Sequence, residues 1–256
     1  MSPLEITPFY LNWTFWSFII ASIALLASQE LRIKLFFKKP KLDFELFSKI
    51  NLNHAIGNCG INLHLHLHNI GGTKLTIRGV EVSLYRDGEK LTQLPSQGYF
   101  KEPTDLYPLL FTKFSLAPDE EWSHNVTTSQ DWSRQNEKTL NDAIKNMQGA
   151  LKQKKEKLGE YHTDLILAPE ECIYPFKKIF DENFFWLHGE YKMKVKVLTD
   201  CSKVDVEKTF KFTLFEYYEQ RLREATEDYQ YGSGIYWTKS NPKPSFVRVE
   251  VKEDNN

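Results

Sequence analysis

The sequence predicts a mainly β protein, α+β overall: an antiparallel sandwich with a helical insertion and a C-terminal helix, behind one N-terminal transmembrane helix. Three observations carry this expectation. Residues 9 to 27 form a run without a charge; from Leu42 onward the hydrophobic period falls to two; and between 129 and 158 apolar residues return at helical spacing.

The uncharged run, FYLNWTFWSFIIASIALLA, reaches roughly 28 Å as a helix, close to the hydrocarbon thickness of a bilayer. Tyr10, Trp13 and Trp16 gather at its N-terminal end, where amphipathic rings favour the headgroup level. A cleaved secretory signal is the competing reading, with Ser22-Ile23-Ala24 as small residues at a usable spacing. A signal wants positive charge before its apolar region, and here only Glu5 stands there, while Arg32, Lys34, Lys38, Lys39 and Lys41 follow. The expected division is an extracytoplasmic tail over 1–8, a transmembrane helix over 9–28, and a lipid-proximal basic segment over 29–41 that carries those five cations. The positive-inside rule then places the N-terminus outside and the rest in the cytoplasm, a single-pass arrangement at the inner (cell) membrane.

The soluble part is expected over 42–251, with a disordered tail over 252–256. Leu42, Phe44 and Leu46 begin the alternation; Ile61, Leu63, Leu65 and Leu67 continue it against Asn62, His64, His66 and His68. Leu75 and Ile77 stand on one parity and Val80, Val82 and Leu84 on the other, so a bulge at Arg78-Gly79 is needed to keep one inward face. Asp87-Gly88 marks a tight hairpin before Glu89 to Leu94. Later strands are expected at 191–198 and 206–215, a helix from Glu216 to about Asp228, and an edge strand at 245–251.

Strand, Asn69-Ile70-Gly71-Gly72 turn, strand and tight hairpin, with the proline-acidic turn Ser115 to Glu120, resemble the first half of an immunoglobulin-like sandwich over residues 42 to 128. The resemblance implies a fold, and this fold hosts many functions.

Within 129–158 the apolar stripe Leu140, Ile144, Met147 and Leu151 is narrow, as in a helix lying on a sheet or pairing with another helix. Either it packs on its own domain or it docks a protein partner or second protomer, with Lys154 and Lys155 beside it as part of a lysine-rich helix end.

The densest set of potential ligands is His54, Cys59, His64, His66 and His68. His-x-His on a strand sends two imidazoles to one face, which would suit zinc, but same-face residues lie nearly 7 Å apart and no carboxylate pattern accompanies them. The bland reading is a polar strand face. Cys59, Cys172 and Cys201 are odd in number and lack a Cys-x-x-Cys pair, which argues against a disulfide framework and leaves room for one bridge at most. No Gly-x-Ser-x-Gly elbow, P-loop or zinc-finger spacing occurs, and Gly232-Ser233-Gly234 lacks the setting of a dinucleotide loop. The chain carries a net charge of −1; residues 1–41 hold five basic against two acidic side chains, a net of +3, which leaves −4 for the remainder and argues against nucleic-acid binding.

These readings favour a non-enzymatic binding or scaffolding module that meets a protein partner at the inner membrane face, with no cofactor. The alternatives are a metal-dependent hydrolase built on the histidine strand, and an extracytoplasmic sensor or envelope protein.

Overall fold

The computed structural model describes residues 13–28, 38–102, 104–158 and 165–254. Twelve strands form one antiparallel sheet: β1 (Leu42–Leu46), β2 (Lys49–Ala55), β3 (Asn58–Asn69), β4 (Leu75–Arg86), β5 (Glu89–Phe100), β6 (Leu109–Leu110), β7 (Phe114–Leu116), β8 (Glu121–Ser129), β9 (Gly189–Thr199), β10 (Val206–Leu214), β11 (Phe246–Glu250) and β12 (Lys252–Glu253). The helices are α1 (Trp13–Ser28), α2 (Arg134–Leu158), α3 (Glu170–Asn183) and α4 (Glu216–Glu224).

The strands run in the order β11-β2-β3-β8-β5-β4-β9-β10-β12, with β1 on β3, β6 on β5 and β7 on β4. β5 joins the two halves, since residues 89–95 pair with β4 and residues 96–100 with β8. The first and last strands of that order are one stretch of chain, because only Val251 separates β11 from β12. The same segment thus lies on β2 at one sheet edge and on β10 at the other, and the sheet curls into a nearly closed barrel. Beside this seam the Lys208 ammonium reaches from β10 to the Asp43 carboxylate at 3.1 Å and to the Phe44 carbonyl of β1.

Period-two sequence becomes inside and outside. Leu63, Leu65 and Leu67 of β3, Val80, Val82 and Leu84 of β4, and Met193, Val195 and Val197 of β9 are buried, and the interior is filled by side chains. The expected bulge is present: the register of β4 against β9 shifts between Ile77 and Gly79. At the β4–β5 turn Asp87 and Gly88 both hold positive φ, 53° and 85°, the backbone of a two-residue hairpin whose twist matches its strands.

Several elements depart from the sequence expectation. The insertion helix begins at Arg134, because the residues up to Ser129 complete β8. Of the two packings expected for its stripe it takes the helix pairing: Met147 and Leu151 are buried against α3, with Leu140 and Ile144 half-buried beside them in a second apolar cluster that includes Ile56, Phe176, Ile179 and Tyr229. The stripe packs against α3 of the same chain, since an amphipathic helix buries its stripe against the nearest complementary one. Residues 246–250 close the sheet where an outer edge strand is expected, and Lys252 and Glu253, expected in a disordered tail, pair with β10 because their backbone groups meet its open edge.

Helices α2, α3 and α4 sit at the barrel end marked by the β2–β3 turn. There Gly57, at φ 85°, passes so close to α3 that a Cβ would stand 2.6 Å from the Phe180 Cα. His54, one residue inside that turn, packs edge-on against the Phe180 and Phe184 rings; its Nε2 donates to the Leu222 carbonyl at 2.9 Å while Nδ1 faces the Gly57 amide at 3.4 Å. Burial lowers its pKa, against the opposing pull of that carbonyl, so this histidine is a neutral bridge between barrel and helices.

α4 is tied by Glu219 to His188, the residue just before β9. The backbone amide and ring of His188 both meet its Oε2 at 2.8 Å, and Arg223 donates to its Oε1 at 2.9 Å. Burial alone would raise this carboxyl; the His188 and Arg223 donors more than offset it and hold the pKa below the ordinary glutamate value of 4.5. A depressed folded-state pKa stabilises the fold above that ordinary value and ceases to do so as pH falls through the lower one. Glu219→Gln should therefore unfold at lower urea than the parent at neutral pH, with the two midpoints converging in strong acid; a gap that does not narrow on acidification would refute the assignment.

Among the described residues no helix is long and apolar enough to cross a membrane. The sixteen residues of α1 span about 24 Å against roughly 30 Å of hydrocarbon, and residues 9–12 of the expected span lie outside the described residues, so the spanning expectation has no support here. What α1 does display is apolar bulk on every side: Trp13 is 80% exposed, Phe18 71%, Ile20 63% and Leu25 64%.

Candidate functional site

The histidine row lies on the outside of the barrel. On β3 the odd positions point inward, so His64, His66 and His68 stand half-buried on the outer face; Cys59 and His54, on inward positions of β3 and β2, lie beneath the sheet. Strand parity thus splits the five expected ligands between two faces, and among the described residues no three His, Cys, Asp or Glu side chains are grouped to hold a metal ion. The Cys59 thiol is pushed up to about 12 by burial, only partly opposed by the Phe185 and Trp186 amides, and is therefore protonated at neutral pH. All three cysteines are free.

Pairing decides what surrounds each outer histidine. His64 faces Asn125 on β8, and its Nδ1 lies 3.1 Å from the Asn125 Oδ1 while its Nε2 lies 3.0 Å from the Ser123 Oγ. His68 sits 3.3 Å from the Asp119 carboxylate. Ser123, His64 and Asn125 have the bonding order of a general-base relay. The groups that could stabilise an oxyanion do not face Ser123, however. Asn51 and Arg248 belong to β2 and β11, two and three strands away across His64, or roughly 10–14 Å at 4.8 Å per strand. The bonding holds His64 still; it does not assemble a nucleophile's site.

On the other side of His64 the surface is concave. A cleft of about 530 Å³ has Asn51, Asn62, Asn125 and His64 in its floor, the Phe47 and Phe100 rings and Asp105 in its walls, and Lys49 and Arg248 at its end. Arg248 donates through Nε to Asn51 Oδ1 at 3.1 Å, which fixes the guanidinium with its remaining donors free for other partners. Asp105 is turned to its own loop, its carboxylate taking the Glu102 amide at 2.9 Å. Among the described residues neither Lys49 nor Arg248 has a carboxylate partner.

A second cleft, about 440 Å³, lies over β4, β9 and β10 between Tyr85, Lys192, Lys194 and Lys211. Its cations are already matched: Lys211 and Lys192 meet Asp254 at 2.9 and 3.5 Å, and Lys194 meets Glu207 at 3.4 Å. Cations not engaged in ion pairs favour the first cleft as the place where a ligand would find partners.

Of the other expected site residues, Leu140, Ile144, Met147 and Leu151 face α3, Lys154 donates to the Leu167 carbonyl at 2.9 Å, and Lys155 is exposed. Lys38, Lys39 and Lys41 are exposed where the chain enters the barrel; Arg32 and Lys34 lie outside the described residues. The groove residues Lys49, Asn51, Asn125 and Arg248 escape sequence reading, because residues up to 197 positions apart, such as Asn51 and Arg248, meet only through strand pairing. No protein-family model matches the chain, and neither does any curated protein.

Proposed function

We propose that the chain is a membrane-tethered binding module that holds an acidic segment of a protein partner in the outer groove at the inner membrane face. The observation that carries this reading is the pair of cations that form no ion pair among the described residues, Lys49 and Arg248, beside a floor of asparagine amides and two phenylalanine rings. Such a surface offers charge, paired donors and apolar edges to an extended acidic strand. The tether is α1: a helix apolar on all sides is stable in lipid or buried in protein, not in water, and the cations at 38, 39 and 41 suit anionic headgroups. We read the barrel as a curled immunoglobulin-like sandwich in which β5 passes from one sheet to the other, a fold that commonly carries binding surfaces.

The test places a photo-crosslinking amino acid at Asn62 in the full chain. A protein adduct is expected, lost when Lys49→Glu and Arg248→Glu are introduced together, with the chain still folded and its thermal midpoint only modestly lowered, since a carboxylate at position 49 would face Glu250 and the Arg248–Asn51 bond is lost. An adduct indifferent to both reversals, or no protein adduct, would refute the reading.

A further inference from the structure

The turn of the β5–β6 hairpin is the most apolar exposed loop among the described residues. Leu106 is 87% exposed, Tyr107 82%, Leu109 49% and Leu110 81%, four large side chains within five positions. We propose that this tip is a second membrane contact, inserted into the surface of the same bilayer that receives α1; the inference rests on the reading of α1 as a membrane tether.

The tip is held out by the fold. Leu109 and Leu110 pair with Tyr99 and Gly98, and Gly98 makes this possible because a Cβ there would stand 2.6 Å from the Leu109 carbonyl oxygen. Pro108 presents no N–H to desolvate. The Asp105 carboxylate is drawn back onto the Glu102 amide, and Asp105 is half-buried, while Lys101 and Lys113 stand exposed on either side of the turn. Exposed Glu102 beside Lys101, with Asp105, balances the two lysines, so the contact rests on the leucines and Tyr107 entering hydrocarbon with the charged groups at headgroup level.

Strand direction puts the tip at the barrel end where residues 38–41 enter. β5 runs antiparallel to β8 and ends at Phe100 opposite Asn125, so its turn lies toward the end at which β8 begins. Glu121 at that start faces His68, next to Asn69, which pairs with Leu42 at the start of β1. The chain reaches Leu42 through Lys38 to Lys41, packed against Gly71. Helices α2, α3 and α4 lie at the opposite end, by the β2–β3 turn. A protein occupant fits less well, since a stable interface takes about 20–30 residues a side and the tip offers five. With the tip in the leaflet, Asp105 in the groove wall brings the groove to the membrane surface.

The test uses the full chain in its own membrane, with a photo-crosslinking amino acid placed in turn at Leu106, Leu110, Ile20 and Lys138, the last exposed on α2. Adducts heavier by whole phospholipids are expected at Leu106, Leu110 and Ile20 and none at Lys138. Lipid adducts at Ile20 without any at the tip overturn this inference and leave the tether standing. Protein adducts at the tip overturn it in favour of a docking loop. Absence of lipid adducts at all four positions overturns tether and tip together.

Discussion

Removal of residues 246–256 is expected to leave a chain that does not fold. The segment buries Val247, Val249 and Val251, each at most 5% exposed, and burial of three valines is worth roughly 5–9 kcal/mol as an upper estimate. Its loss also strips the backbone partners of β2 along residues 49–53 and of β10 at Phe210 and Lys211, opening two apolar edges at once. Asp254 goes with it, whose carboxylate joins Lys211 and Lys192. Against a total stability of about 5–15 kcal/mol for an ordinary domain, this is most or all of the margin. Circular dichroism and limited proteolysis should show an unfolded or aggregating chain. A shortened protein that melts cooperatively within a few degrees of the parent would show that the barrel closes without its last strands. Glu250→Ala, at an outward position of the same strand, should cost within about 0.5 kcal/mol and separates the loss of closure from mere disturbance of the segment.

That closure could not be read from sequence. The alternation of Phe246, Arg248 and Glu250 with Val247, Val249 and Val251 announces a strand but not which edges it meets, since register is fixed by partners some two hundred residues away. Elements governed by local chemistry were legible: the β3 alternation, the Arg78-Gly79 bulge, the Asp87-Gly88 turn and the stripe of α2. Elements whose inward positions carry polar residues were not. β2 places His54 inward and β8 places His124 and Thr128 inward, which blurs a pattern of two, and α3 contains Pro175, which speaks against a helix interior. The same limit applies to the groove. His64 was visible as an outer strand residue, but Asn125, Asn51 and Arg248 become its neighbours only through pairing.

Met147→Ala should lower stability by about 2–5 kcal/mol, the range for truncating a buried methionine, because Met147 is wholly buried between α2 and α3 and a cavity there has no loose neighbour to fill it. Leu140→Ala and Ile144→Ala, at half-buried positions of the same stripe, should cost less, and Lys155→Ala, which is exposed, should cost within about 0.5 kcal/mol. This ordering follows from the helix pair alone. If the stripe instead docked a partner, the isolated chain would scarcely register any of the four changes and the loss would appear only in association. Urea unfolding of the purified chain decides between them: the m-value is expected to stay constant while the midpoint falls in the order of burial. A second transition appearing in Met147→Ala, with hydrogen exchange of the β3 and β9 amides unmoved in the first, would show that α2 and α3 unfold as a unit of their own, joined to the barrel through Gly57, His54 and Phe180.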